Sequence, residues 1–245
     1  MSSLTRKLRD TPVVIVAGLI VFSLIQIYFH SLLKNDRAVE YQPLNQPLQA
    51  RQYQALAFGS DRLLSYALML SVQLHDNQIG KHIGYQHVNY ETLSRWLLTI
   101  YELNPLSDYP AFLTTRVYSQ VSEPAKILKL IEVTQHLFTI NPVQHWRRMT
   151  EACLLAKHQL KDLSLALTLA KQVADLPASI ELPHWARDMK LILLDELNQL
   201  ESAQLLISSM LQSGEVKDND EIRFLKSRLL MIQQKMLENE QNRAQ

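Results

Sequence analysis

The sequence predicts an all-α chain built as one N-terminal transmembrane helix followed by a stack of helical hairpins, an α-solenoid. Three observations carry this. Glycine is scarce, with five in 245 residues, and Leu-rich segments repeat their apolar residues at three- and four-residue spacing, the period of a helix with one buried face. The third is the run Val13 to Leu33, VVIVAGLIVFSLIQIYFHSLL, which contains no Asp, Glu, Lys or Arg. At about 1.5 Å per residue it reaches roughly 30 Å, the thickness of a bilayer's hydrocarbon core.

Charge and cysteine usage narrow the classes. A formal net charge of +1 gives no long-range attraction for nucleic acid or for a strongly acidic partner. The single cysteine, Cys153 in MTEACLLAKH, excludes an internal disulfide, and its apolar neighbours predict a small core residue rather than a reactive thiol.

In chain order, residues 1–12 hold Arg6, Lys7 and Arg9 against Asp10. The positive-inside rule therefore places this segment in the cytoplasm and the remainder across a bacterial-type inner membrane, in the periplasm. Pro12 suits a first helical turn, where its missing N–H costs nothing. Tyr28 and His30 suit the outer interface. A cleaved signal peptide is the competing reading of 13–33. It is disfavoured because the apolar run exceeds roughly 7–15 residues and its exit, IYFHSLLKND, has no small-x-small site.

Residues 34–51, polar and carrying Pro43 and Pro47, read as a semi-extended linker holding the domain off the membrane. Over 52–88 a helix starts near Gln52, breaks at Gly59-Ser60-Asp61, and resumes as Arg62 to Leu74. That second piece is apolar enough for a buried core helix and too short to span a bilayer. The loop HDNQIGKHIGYQH follows.

From 89 to 213 the chain becomes rhythmic. Asn89 caps a helix to Asn104 with Leu93, Trp96, Leu97 and Ile100 on one face. A shorter helix over Pro110 to Val121 follows, then one from Pro124 to Asn141. His145 to His158 and Leu163 to Leu176 come next, then a helix opened by Pro183, then Leu200 to Gln212 closed by Gly214. Over 218–245, Asp218 or Asp220 caps a helix of roughly Glu221 to Glu238. Its stripe Leu225, Leu229, Ile232 and Met236 would cap the solenoid or dimerise, and the tail ENEQNRAQ frays.

These helices repeat. Asn104-Pro105 recurs as Asn141-Pro142, His145-Trp146 as His184-Trp185, and KHQLKDLSLALTLAKQV is echoed by LDELNQLESAQLLISSM. Offsets in the mid-to-high thirties with two helices per unit mark an α-solenoid. The unit resembles a degenerate tetratricopeptide repeat. An aromatic enters the first helix, small residues sit mid-helix (Ala152, Cys153, Ala156), and Ala166 and Ala170 follow in the second, with Pro177 near the unit's end. The resemblance covers about Asn89 to Gln212. The Gly expected mid-helix is replaced by Ala, Cys or Leu.

No reaction motif is present: GxxxxGK[ST], GxSxG, HExxH and CxxC are all missing. No catalytic, cofactor-binding or metal-binding residue is therefore assigned, and no cofactor is expected. The loop holding His75, Asp76, His82 and His87 has metal-capable side chains at spacings that match no ligand pattern. It reads as an ordered connection or as a loop docking on a partner. The His-Trp pairs belong to the repeat, with Trp between hairpins and His tipped toward solvent. The partner-binding candidates are Arg147, Arg148, Lys157 and His158, a basic cluster on a first helix, together with His75 and Asp76. The expected function is a membrane-anchored periplasmic scaffold or assembly factor that holds a partner protein or peptide in a groove. It would act near the membrane, not on nucleic acid, and would not be an enzyme. Two alternatives stand beside it: a structural subunit of an inner-membrane complex, with Gln26 and His30 facing a partner helix, and an all-α enzyme acting on the cell wall.

Overall fold

A computed structural model of the chain describes residues 13–33, 42–75, 77–78, 81–82, 84–177, 179–214, 216 and 218–244. They fall into two compact units, divided at Gln42 and Pro43. The described part of the first is helix α1, Val13–Leu33. Its described side chains are exposed, Leu19, Phe22, Leu24 and Ile27 among them. Among the described residues no helix is long and apolar enough to cross a membrane.

The second unit is helical almost throughout. Helices α2 (Ala50–Leu56) and α3 (Asp61–Leu74) lead to a two-residue antiparallel ladder, β1 (Asn77–Gln78) with β2 (Lys81–His82), and a single 3-10 turn, Tyr85–His87. Then come α4 (Tyr90–Leu103) and α5 (Tyr109–Phe112), the latter running into a π-helical turn, Leu113–Val117. The stack proper is α6 (Pro124–Ile140), α7 (Pro142–His158), α8 (Leu163–Ala174), α9 (His184–Glu196), α10 (Leu200–Ser213) and α11 (Asn219–Ala244). Each helix from α6 onward packs on the next in line.

The boundaries follow from local chemistry. Asn89 Oδ1 accepts from the N–H groups of Glu91 and Thr92 at 3.0 and 3.1 Å. Asn141 does the same for Gln144 N, and Asp162 for Leu165 N, each satisfying one orphan donor of a helix start. Pro124 and Pro142 open their helices at positions that need no donor. Gly214 ends α10 in the left-handed region at φ 67°, which glycine adopts without a Cβ clash.

Two apolar clusters hold the unit together. One gathers Met69, Val72, Leu93, Leu97, Ile100, Leu113, Tyr118, Leu130 and Leu137 from α3 to α6. The other runs from Ile127 and Ile131 through α7 to α11 and ends on Leu225 and Ile232. Ala152, Cys153 and Ala156 of α7, Ala166 and Ala170 of α8, Ala186 of α9 and Ala203 of α10 are all fully buried. Small side chains at these crossings let neighbouring backbones approach, and Leu169, Leu191 and Ile207 fill the space between.

Several expectations shift against this architecture. The linker read over 34–51 is shorter than expected, because residues 43–49 lie along α4. Trp96 Nε1 donates to Asn45 O at 2.7 Å, and Gln46 bonds Thr92 and Arg95. The helix expected at Pro110 to Val121 is a four-residue turn plus the π turn, in which Tyr118 N donates to Leu113 O. The last helix runs on to Ala244, past the point where fraying was expected. The apolar segment Arg62 to Leu74 is not a buried core helix. Only Ser65, Met69 and Val72 are buried, while Leu63, Tyr66, Leu70 and Leu74 stand exposed on the opposite face.

Candidate functional site

Three places in the second unit hold chemistry that packing alone does not explain. The first is an ionic brace between α5, the π turn and α7. His145, Arg148 and Glu151 follow one another at three-residue spacing, so one face of α7 carries all three. Asp108, just before α5, faces two of them: its Oδ1 lies 3.0 Å from His145 Nδ1, and its Oδ2 accepts from Arg148 Nε at 2.8 Å. Glu151 accepts from Arg148 Nη1 at 2.9 Å, from Arg116 Nη2 at 2.6 Å and from Thr115 Oγ1 at 2.6 Å.

Burial pushes both carboxyls upward. For Asp108 the hydrogen bonds from His145 and Arg148 outweigh burial and hold it below the usual carboxylate range. For Glu151 those from Arg116, Thr115 and Arg148 do the same. Two carboxylates face two guanidiniums, while buried His145 Nε2 has no hydrogen-bond partner among the described residues. His145 is fully buried, with Tyr101 edge-on at 5.3 Å between ring centroids. It does not tip toward solvent as the repeat pattern suggested. The chemistry here is that of a clamp between consecutive hairpins.

The second place is a cavity of about 330 Å³ where the end of α8 meets α9, α10 and the start of α11. Its apolar wall is Leu182, Leu206, Met210 and Val216, and its charged rim includes His184, Arg187, Lys190 and Glu221. Arg187 is steadied by the carbonyls of Leu176 and Ile180, and Lys190 by Asp175 at 3.1 Å. Glu221 is almost fully buried and pairs with His184 Nδ1. Burial raises its carboxyl above the ordinary range, against the pull of His184. Asp188, on α9, is also buried. Its Oδ1 has no hydrogen-bond partner among the described residues, and burial followed by the charge of Glu221 raises it to about 6.

The third place is the exposed face of α2 and α3. Leu56, Phe58, Leu63, Tyr66, Leu70 and Leu74 are all more than half exposed, Phe58 at 95%. On α3 the spacing of 63, 66, 70 and 74 puts four of them on one stripe.

The sequence-derived partner residues are dispersed among these features. Arg148 is locked in the brace, and Lys157 is bonded to Glu196 at 2.5 Å. Arg147 and His158 are exposed on α7. His75 closes α3 as its C-cap, far along the chain from the other four, and Asp76 lies outside the described residues, as does the side chain of His82. Among the described residues no group of three or more His, Cys, Asp or Glu stands together as a metal would require. Trp146 and Trp185 meet at 5.9 Å, so the repeated Trp does pack between hairpins. Asp108, Glu151, Asp188 and Glu221 were missed from sequence. The available signal was spacing: Asp108 lies 37 residues before His145 and Arg116 lies 35 before Glu151, one repeat apart in each case.

Fold and sites together define the class: among the described residues, an all-α stack of hairpins with charged clamps between units and an apolar-walled cavity where α8 to α11 meet. No family model matches the chain, and comparisons with curated proteins and with solved structures gave no match.

Proposed function

We propose that this protein is a membrane-anchored scaffold or assembly factor, with its helical domain in the periplasm, that holds a peptide segment of a partner protein in the α8–α11 cavity. The observation that carries the reading is the cavity itself. It joins an apolar wall of Leu206 and Met210 to a rim bearing both signs of charge. Such a site seats one apolar side chain and orients the flanking backbone through polar contacts. The hairpin stack, similar in build to a degenerate tetratricopeptide array, supplies rigid walls, since each helix is pinned by its neighbours.

The anchor in this reading is α1. Its 21 residues carry no charged side chain, and an exposed helix of that kind needs a non-aqueous surrounding. Anchoring raises the local concentration of the site, so individual contacts can be weak.

The test is site-specific photo-crosslinking of the full-length protein in membranes. A photoreactive residue at Met210 should trap a partner, one at the exposed Leu205 should not, and Arg187→Glu should abolish the Met210 adduct. Equal adducts at both positions would remove the cavity from the proposal.

One observation favours a second reading, an acid-dependent hydrolase of the cell wall. Glu221 is a buried carboxyl with a raised pKa at a cavity wall, the condition a general acid meets. Loss of cell-wall cleavage in Glu221→Gln, with partner crosslinking intact, would decide for that reading.

A further inference from the structure

We propose that the exposed apolar face of α2 and α3 is a lipid-docking surface, which lays the start of the helical domain on the membrane that carries α1. The inference rests on the anchor reading above and goes beyond it. It concerns Leu56, Phe58, Leu63, Tyr66, Leu70 and Leu74, which no described segment covers.

Chain length argues for lipid as the occupant. Between Leu33, the last residue of α1, and Pro43 the chain can extend at most about 35 Å. The next residues add no slack, because Asn45 and Gln46 are bonded to Trp96, Thr92 and Arg95 of α4. Helix α2 begins at Ala50. Helix α2 is thus the first helix after a short tether, so a bilayer that holds α1 lies within the reach of that length of chain.

Composition points the same way. From Ala50 to Leu74 the charged residues are Arg51, Asp61 and Arg62 alone. Both arginines are exposed, and Arg62 directly precedes the apolar stripe of α3, where a guanidinium on a flexible stem reaches headgroup phosphates while its methylenes lie along the apolar surface. Leu63, Tyr66, Leu70 and Leu74 on one stripe, with Arg62 at its start, form the pattern of a helix that rests in the interface. The tether cannot cover the stripe from within, since Lys34 to Gln42 reads KNDRAVEYQ and offers no apolar run. Four apolar side chains exposed on one stripe of α3 call for an occupant.

The experiment uses the full chain reconstituted in vesicles of phosphatidylethanolamine and phosphatidylglycerol. Nitroxide labels are placed at Leu70→Cys and, as a control, at Leu205→Cys on α10, both exposed positions that tolerate the change. Native Cys153 stays unlabelled because it is buried and its thiol is pushed up to about 12. Collision with oxygen, which concentrates in lipid, is compared with collision with a water-soluble nickel chelate. The expected result is an oxygen-to-nickel ratio at Leu70 severalfold above that at Leu205. Water-like ratios at both sites would overturn the docking, and so would a Leu70 label shielded from both reagents, which means that a protein or a second copy covers the face. Alkaline carbonate separates the two readings. Release of the protein from vesicles defeats the anchor and this proposal with it, whereas retention with a water-like Leu70 defeats the docking alone.

Discussion

Replacing Asp188 with Asn should stabilise the protein, and more at neutral pH than in acid. Asp188 is buried on α9, lacks a partner for Oδ1, and shares its surroundings with Glu221. Its folded pKa of about 6, against an ordinary value of 3.8, means that the folded chain binds the proton more tightly than the unfolded chain does. Stability therefore falls as pH rises from about 4 to 6 and stays lowered above 6. A rise of about two units corresponds to about 3 kcal/mol of cost at pH 7.5. Coupling to Glu221 and His184 divides that cost among three groups, so about 2 kcal/mol is the gain expected from Asp188→Asn.

For a domain of this size that is a rise in melting temperature of about 4–8 °C. Thermal unfolding followed by circular dichroism at pH 7.5 and at pH 5 would measure it. The gain should fall to about half at pH 5, where the folded carboxyl is protonated but the unfolded one still ionises. A variant no more stable than wild type at pH 7.5, or one equally stabilised at both pH values, would refute the claim that an uncompensated buried charge sits there.

The brace should behave in the opposite sense. Asp108 and Glu151 have folded pKa values held below the ordinary range, so their contribution is present above about pH 4 and lost as pH falls through the folded values; acid titration of the far-ultraviolet signal checks this. Glu151→Gln leaves Arg148 and Arg116 facing a neutral amide and should cost about 2–3 kcal/mol, read by urea unfolding at pH 7. Asn89→Ala removes the cap of α4 and should cost about 1 kcal/mol in the same assay. Cys153, with its thiol raised to about 12 by burial and Sγ donating to Ala166 O, should react with a thiol reagent only after denaturant is added, with rates tracking unfolding.

Much of the fold was legible because helix ends are written locally. Asn89, Pro124, Asn141, Asp162 and Gly214 all act where their chemistry places them. The small residues Ala152, Ala156, Ala166 and Ala170, which the resemblance to a tetratricopeptide repeat singled out, are all buried. Other features depend on tertiary placement. Segment Arg62 to Leu74 is apolar on two faces, and only the position of α4 decides that Met69 and Val72 go inward while Leu63 and Leu70 stay out. Residues 43–49 look like linker because they are polar and proline-bearing, yet their backbone and amide groups find partners on α4. Arg148 looked available because a basic cluster on a helix cannot reveal that Asp108 lies across the groove.

The sites missed from sequence obey a common rule. Asp108 and Arg148 are 40 residues apart, Arg116 and Glu151 35, Lys157 and Glu196 39, and Asp195 and Lys235 40. Each pair joins neighbouring repeats, so the period that sets the hairpins also sets where opposite charges must stand. Apolar contact between alanine-lined helices is tolerant of sliding by one turn. A carboxylate that must meet a guanidinium is not, since a slip of about 5.4 Å would strand both charges in partly buried positions. The clamps therefore specify register where the apolar core specifies only proximity. Asp188 with Glu221 breaks the rule by setting like charges together beside the cavity. That break stands at Glu221, on the rim of the cavity, and local stability is given up there.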